Sequence, residues 1–471
     1  MSISFETLGN ATILMFEDGK PQFATDPWMI GTAYYGSWAL ENPLSAQQID
    51  DIKQCKYIWF SHGHPDHLHI DSVDMLDRST TLLVPDLYKS DIPRDLRAMG
   101  FNVRVLKYRE WFNVTDKIRI CCVDNINQDA ILAVDTDEGL IINKNDSPFC
   151  GEFRFLRGLV KKHPRRRTYM TSLYAGGGDM ENQVDARGVR IIAPAQDFEL
   201  GKVLKVTREA DRLGVGTYCC SSSQHVYVRA DSIWANEYGL HWTELKKHWN
   251  RPSVDLVPPY VTIDMAAGAV TQNTPEPETI PYDMTGTGED DWNDRLDEAD
   301  WKTVFAFFQK YETLRRDVDI IGVTVGGERR DIPMNRRADN VPREKLRIAH
   351  FMAPKKSFLD AVTWGYFDDL MIGNFMKTEL LNMTLYPNFT PKLAKYGGNA
   401  KAFSNRDLVK FHWYYFRRNP YAYLAMKLSA WFESLVVNGL RVGTEKAGVK
   451  PFFKWVYRSA LGDTVPGGAG R

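Results

Sequence analysis

The chain has 471 residues, 44% of them hydrophobic and 12% aromatic, which is enough for a sizeable core and more than one average domain. Its 59 basic and 60 acidic side chains leave a formal net charge of −1, which argues against a general nucleic-acid binder. The start, Met1-Ser2-Ile3-Ser4-Phe5-Glu6, lacks a signal-peptide pattern and no apolar run approaches a membrane span, so a cytoplasmic protein without membrane association is expected.

Short apolar runs predict strands at 11–16, 57–60, 81–84, 103–105, 118–123, 130–134, 140–142 and 169–172, separated by turn residues. Helical spacing predicts helices at 46–53, 70–77 and 202–213, the last with Val203, Val206, Ala210 and Leu213 on one face. This alternation is an α/β pattern. The six cysteines are too few for a disulfide scaffold. Cys121-Cys122 and Cys219-Cys220 fall inside strands and read as buried thiols, with a redox role for either pair as the alternative. Lys161-Lys162-His163-Pro164-Arg165-Arg166-Arg167, preceded by Arg154 and Arg157, is either a solvated basic face or an anion clamp. In the second case Arg165, Arg166 and Arg167 bind substrate. Ala175-Gly176-Gly177-Gly178-Asp179 is a tight turn or a close backbone approach to substrate, without the Gly-Lys-Ser/Thr ending of a phosphate loop.

A Pro-rich, then acidic, stretch at 271–300 divides the chain. The expected organisation is a metal-binding domain at 1–270, a linker at 271–300, a mainly helical, aromatic-rich domain at 301–462 and a disordered tail at 463–471. Helices are expected at 301–314, 358–376, 406–417 and 422–437. Trp364, Tyr366, Phe367, Trp413, Tyr414, Tyr415, Phe416 and Trp431 are expected to pack, or else to form an aromatic surface that stacks on a base or sugar.

Four of the ten histidines fall within Ser61-His62-Gly63-His64-Pro65-Asp66-His67-Leu68-His69, directly after the strand-like Tyr57-Ile58-Trp59-Phe60. His62 and His64 alternate and project to one side of extended backbone, while Gly63 permits close approach and Pro65 fixes the turn. Three imidazoles and a carboxylate at a strand end suit zinc or non-haem iron. Because adjacent residues diverge, His62, His64, Asp66 and His67 can serve two neighbouring metals. His69 lies beyond the core motif and is expected to support the site or lie at the surface.

This motif resembles the signature of the metallo-β-lactamase superfamily. The upstream Gly9-Asn10-Ala11-Thr12-Ile13-Leu14, Ala24-Thr25-Asp26-Pro27-Trp28-Met29-Ile30-Gly31 and Gly36-Ser37-Trp38 resemble one branch, the metallo-β-lactamase-like domain of CMP-N-acetylneuraminate hydroxylase. The likeness covers roughly residues 9–240 and implies a four-layer αββα sandwich with the metals at one edge. It also implies further ligands. Asp146, after Gly139-Leu140-Ile141-Ile142-Asn143, fits the bridging aspartate, and His225 fits the last histidine. The family's remaining histidine is absent, since none occurs between His69 and His163. Either Asp124, Asn125, Asn127 or Asp129 replaces it, or one metal keeps a more open, oxygen-rich shell. Such a harder site suits iron or manganese better than zinc.

Two reactions compete. A di-iron centre would activate dioxygen to hydroxylate a polar small molecule, anionic if the arginines form a clamp. A dinuclear zinc or manganese centre would instead activate water, oriented by Asp66, to hydrolyse a lactone, amide or phosphoester. A degenerate relative using its metal structurally is the third reading. Of these, the oxygenase is favoured. The hydroxylase relative carries a Rieske domain, but no Cys-x-His or Cys-x-x-His pair occurs here, so electrons are expected from a separate protein.

Overall fold

The computed structural model describes residues 2–175, 182–191, 205–273 and 286–428. Two large sheets face each other. The first runs Ala269–Gln272, Val261–Asp264, Ile3–Leu8, Thr12–Glu17, Lys20–Thr25, Tyr57–Trp59, Thr81–Pro85, Asn102–Leu106. The second runs Asp255–Val257, Thr217–Cys220, Thr168–Ser172, Gly139–Asn145, Asp129–Thr136, Ile118–Asn125, Trp111–Asn113. Alternating side chains explain the layers, because each strand sends one face to the partner sheet and the other to a helix. Phe5, Ile13, Met15, Trp59 and Leu83 meet Ile120, Leu132, Val134, Ile141 and Tyr169 between the sheets.

Outside the first sheet, Leu14, Ile58, Leu82 and Val84 pack against Ile52, Val73 and Leu96 of the helices Ala46–Gln54, Ile70–Asp74 and Ile92–Ala98. Outside the second, Val123, Ile142, Met170 and Tyr218 pack against Leu156 and Val160 of Phe153–Val160, against Val206, Ala210 and Leu213 of the helix at 205–213, and against Leu245 of Trp242–His248. This is the expected αββα sandwich. The vicinal cysteines are free and buried within it, one of each pair on either face.

The C-terminal region is helical and aromatic-rich, as expected, and it also carries a five-stranded sheet that the sequence reading did not anticipate. The order is Gln183–Val184, Lys377–Leu381, Ile348–Met352, Ile320–Val325, Glu328–Pro333. One strand of this sheet therefore comes from the first half of the chain. The acidic stretch ends in a helix start, where the Asp297 side chain accepts from the Ala299 and Asp300 amides, 2.8 Å each, and Asp300 caps it reciprocally. The helix Glu298–Gln309 then buries Trp301, Val304, Phe307 and Phe308. The single helix expected at 358–376 is two, Lys355–Trp364 and Phe367–Ile372, because Gly365 adopts φ 88°, a left-handed stop. Trp364 and Trp413 are 74% and 55% exposed, so neither packs as expected. The glycines after Ala175, residues 429–437 of the helix expected at 422–437, Trp431 and the tail lie outside the described residues. Among the described residues no helix is long and apolar enough to cross a membrane.

Candidate metal centre

The histidines leave the strand Tyr57–Trp59 at one edge of the sandwich, where Gly139–Asn145 delivers Asp146 and the edge strand His225–Tyr227 delivers His225. His62, His67 and Asp146 bring one ligand atom each to within 4.8 Å of one another. A cavity of about 320 Å³ opens onto His64, Asp66, Asp146 and His225. The sequence-predicted residues His62, His64, Asp66, His67, Asp146 and His225 thus surround one region.

Proton placement indicates which nitrogens face inward. An ionised carboxylate only accepts hydrogen bonds, so an imidazole nitrogen beside one carries the proton. His67 Nδ1 lies 3.1 Å from Asp26 Oδ2, His64 Nε2 lies 3.3 Å from Asp368 Oδ2, and His62 Nδ1 lies 3.4 Å from Asp129 Oδ1 and 2.9 Å from Ser61 Oγ. In neutral rings, the form that ligates metal, the lone pairs are then left on His67 Nε2, His64 Nδ1 and His62 Nε2. His62 Nε2 and His64 Nδ1 stand 2.9 Å apart. His67 Nε2, buried without a hydrogen-bond partner, faces Asp66 Oδ2 and Asp146 Oδ2 at 3.4 Å each. A cation between these atoms would satisfy them, and in the metal-free protein protons on His64 and His67 take that place. Carboxylates behind ligating imidazoles are the usual support of a metal site.

The remaining inward atoms agree. Asp146 Oδ1 and His225 Nδ1 are buried without partners. The His225 ring stacks on Trp38 at 3.5 Å and 2°, and burial pushes its pKa down to about 4, leaving it neutral and ready to ligate. Burial opposes protonation of His64, yet the hydrogen bond and charge of Asp368 carry it up to about 9. His67 is likewise raised against burial, by Asp66, Asp146 and Asp26. Asp146 is held well below the usual carboxylate range by His67, despite its burial. A proton occupies the histidine cluster where a metal would otherwise supply the charge. Two groups could each hold an ion, His62 with His67 and Asp146, and His64 with Asp368 and Asp369, and Asp66 and His225 line the cavity beside them.

Asp66 is anchored by the Tyr34 hydroxyl at 2.5 Å and the Asn10 amide at 2.9 Å. His69 is neither ligand nor surface. Its Nε2 donates to the Thr32 carbonyl at 3.1 Å, and its Nδ1 accepts from the Ser72 amide, capping the helix Ile70–Asp74. Of the four residues expected as replacements for the missing histidine, Asp124 pairs with Arg418, Asn125 donates to Ser147 Oγ at 2.7 Å, and Asp129 sits behind His62. Only Asn127 lines the cavity.

Arg165, Arg166 and Arg167 are not brought to this site. They form a short turn before Thr168–Ser172, a strand parallel to Gly139–Asn145, and so lie at the opposite end of the sheet from Asp146. They line a separate cavity with Gly216 and Asp255. A clamp on a substrate held at the histidines is out of their reach, which corrects the expectation drawn from their charge.

Sequence reasoning missed Asp368, Asp26, Tyr34 and Asn10 as site residues. Asp26 was visible in the Asp-Pro-Trp block, where its carboxylate accepts from both the Ser61 amide, at 2.7 Å, and His67. Asp368 stands 304 positions from His64 and carries no local signal.

No family model matches the chain. In sequence it is 27% identical over 115 residues to the cytidine monophosphate-N-acetylneuraminic acid hydroxylase of Asterias rubens, covering 22% of this chain and 17% of that protein. It is 26% identical over 140 residues to the hydroxylase of that name from Danio rerio, covering 27% and 23%. The matches thus span under a quarter of these relatives. Among solved structures, a CmlA beta-hydroxylase variant aligns with TM-score 0.34 and 13% identity over 56% of this chain and 54% of that one. An isothiocyanate hydrolase from Delia radicum gut bacteria aligns with TM-score 0.39 and 15% identity over 55% and 98%. The αββα sandwich with its histidine motif at the sheet edge is the metallo-β-lactamase fold, and the chain's sequence likeness runs to the CMP-N-acetylneuraminate hydroxylase branch.

Proposed function

We propose that this metallo-β-lactamase-fold enzyme is a dinuclear iron oxygenase that hydroxylates a small polar molecule. The observation that carries the reading is that Asn127 lines the cavity beside His64, Asp66 and Asp146, from the stretch in which the resemblance would put a further histidine. Replacing imidazole by oxygen donors hardens a site and favours iron or manganese over zinc. The sequence likeness to hydroxylases supports the same reading. When bound, the metal pair would supply dioxygen activation. The protein's own part is to hold that pair through the carboxylate-backed histidines, fix Asp66 through Tyr34 and Asn10, and enclose substrate in the adjoining cavity. Electrons would come from a separate electron-transfer protein.

The hydrolase reading is favoured by one feature, the rigidly held Asp66 carboxylate at the cavity wall, well placed to orient a water. Elemental analysis of protein produced with iron and zinc both present, with optical and EPR spectra, decides between them. About two irons per chain and spectra that respond to reduction and oxygen support the oxygenase. Two zincs and silent spectra support the hydrolase, and absence of metal overturns both.

A further inference from the structure

The cavity has two unlike walls. One carries the histidines and carboxylates of the metal centre. The other comes from the C-terminal region, chiefly the helical turns Leu385–Phe389 and Lys392–Asn399, which contribute Tyr386, Ala394, Lys395 and Asn399. Among the described residues Lys395 is the only lysine or arginine lining the cavity, and the carboxyl groups lining it are those of Asp66, Asp146 and Asp368. Among the described residues no carboxylate oxygen lies within 4 Å of the Lys395 ammonium and no hydrogen bond satisfies it, although surface lysines nearby do pair, as Lys392 does with Asp317 and Lys401 with Asp91. Partial burial lowers its pKa from the ordinary lysine value, while the charges of Cys150 and Asp129 act the other way.

Lys395 is half-buried on the cavity wall, and an anionic group entering the cavity would complete its ammonium. From this we infer that Lys395 is the specificity-determining residue of the cavity, and that the substrate carries an anionic oxygen group, carboxylate or phosphate, which Lys395 binds while the rest of the molecule faces the metal centre. This inference rests on the proposed metal site. The cavity lies at the small end of ligand sites, so the substrate is small. The recognition element then belongs to the C-terminal region and the chemistry to the sandwich, so relatives with a different C-terminal region would take different substrates. Arg165–Arg167, the anion site suggested by composition, has no part in it.

The test uses the metal-loaded full chain and a short series of hydroxamates whose metal-binding end is constant. The far end bears a carboxylate, a phosphonate or a neutral amide. The wild-type protein is expected to prefer a charged end over the amide by roughly tenfold or more. Lys395→Met should abolish that preference and Lys395→Arg should retain most of it, both with normal metal content. Which charged end is preferred tells carboxylate from phosphate. Absence of any charge preference in the wild type, or its persistence in Lys395→Met, overturns the role of Lys395. Metal content measured on the same samples separates this from failure of the metal reading, since a wild-type chain that takes up no metal overturns both.

Discussion

A ligating histidine is only as good as the group behind it. His67 is held by Asp26, which is itself fixed by the Ser61 amide, so the imidazole can neither rotate nor change tautomer without breaking a buried contact. Asp26→Ala should therefore lower metal affinity about 10–100-fold without removing a ligand, read by competition with a chelator. His69→Ala is the control. It removes a helix cap and a bond to Thr32, so it should cost about 1–2 kcal/mol in a thermal melt and leave metal content unchanged. Equal loss of metal in both variants would mean that the division between support and cap is wrong. The raised pKa of His64 adds a second expectation. Its folded value of about 9 exceeds the ordinary 6.5, so in the metal-free protein its contribution to stability is fully present below pH 6.5 and lost as pH rises through about 9. Metal needs the neutral ring, so metal binding below pH 9 must release protons and tighten as pH rises. Calorimetry in buffers of different ionisation enthalpy would count them.

Among the elements, the helix Phe367–Ile372 does the least expected work. It is a single short element whose second residue, Asp368, is 7% exposed and reaches across to His64. Asp368→Ala should weaken metal binding about 10–100-fold, while Asp368→Asn, whose carbonyl can still accept from Nε2, should recover part of the loss. A chelator titration of the two variants reads this, and identical affinities would show that the carboxylate merely packs. The same helix marks where sequence reading stops. The strand before the histidines and their alternation were legible because each is a local pattern of a few residues, whereas Asp146 was proposed from the resemblance. The α/β class followed from the strand–helix alternation, and the four-layer form from the family resemblance. Asp368 was not legible, because its partner is set by how two distant segments fold together. The five-stranded sheet escaped for a related reason, since its short strands are scattered among helices and one of them, Gln183–Val184, comes from the other half of the chain. The three arginines misled in the opposite way. Their charge is real, but strand direction puts them at the far end of the sheet.

Across the whole molecule, the C-terminal region is tied to the sandwich by buried polar contacts as well as by packing. Ser37 donates to the Gly373 carbonyl at 2.5 Å, Asn374 donates to the Tyr227 hydroxyl at 2.8 Å, and Arg229 pairs with Asp290 at 2.8 Å. The most exacting tie is Arg418, at the end of the helix Asn405–Arg418, which pairs with the fully buried Asp124 of the strand Ile118–Asn125. Burial raises the Asp124 pKa to about 7, and Arg418 is what keeps it from rising further. The unfolded value is near 3.8, so between there and pH 7 the folded chain holds the extra proton and stability falls as pH rises, then levels off. Without Arg418 the folded pKa moves higher and the fall continues past pH 7. Arg418→Met should thus cost about 1.4 kcal/mol more at pH 8 than at pH 6, because the variant goes on losing stability after the wild type has levelled off. Adding Asp124→Asn should remove the pH dependence and most of the cost. Denaturation at pH 6 and pH 8 measures the gap, and equal losses at both would mean that Arg418 acts by packing on Tyr108 and Tyr414 instead of by charge. Because Asp124 leads directly into the loop that carries Asn127, loosening this tie should also reach the metal centre. The single variant should lose bound metal more readily at pH 8 than at pH 6, against the trend expected of the wild type, for which rising pH tightens binding.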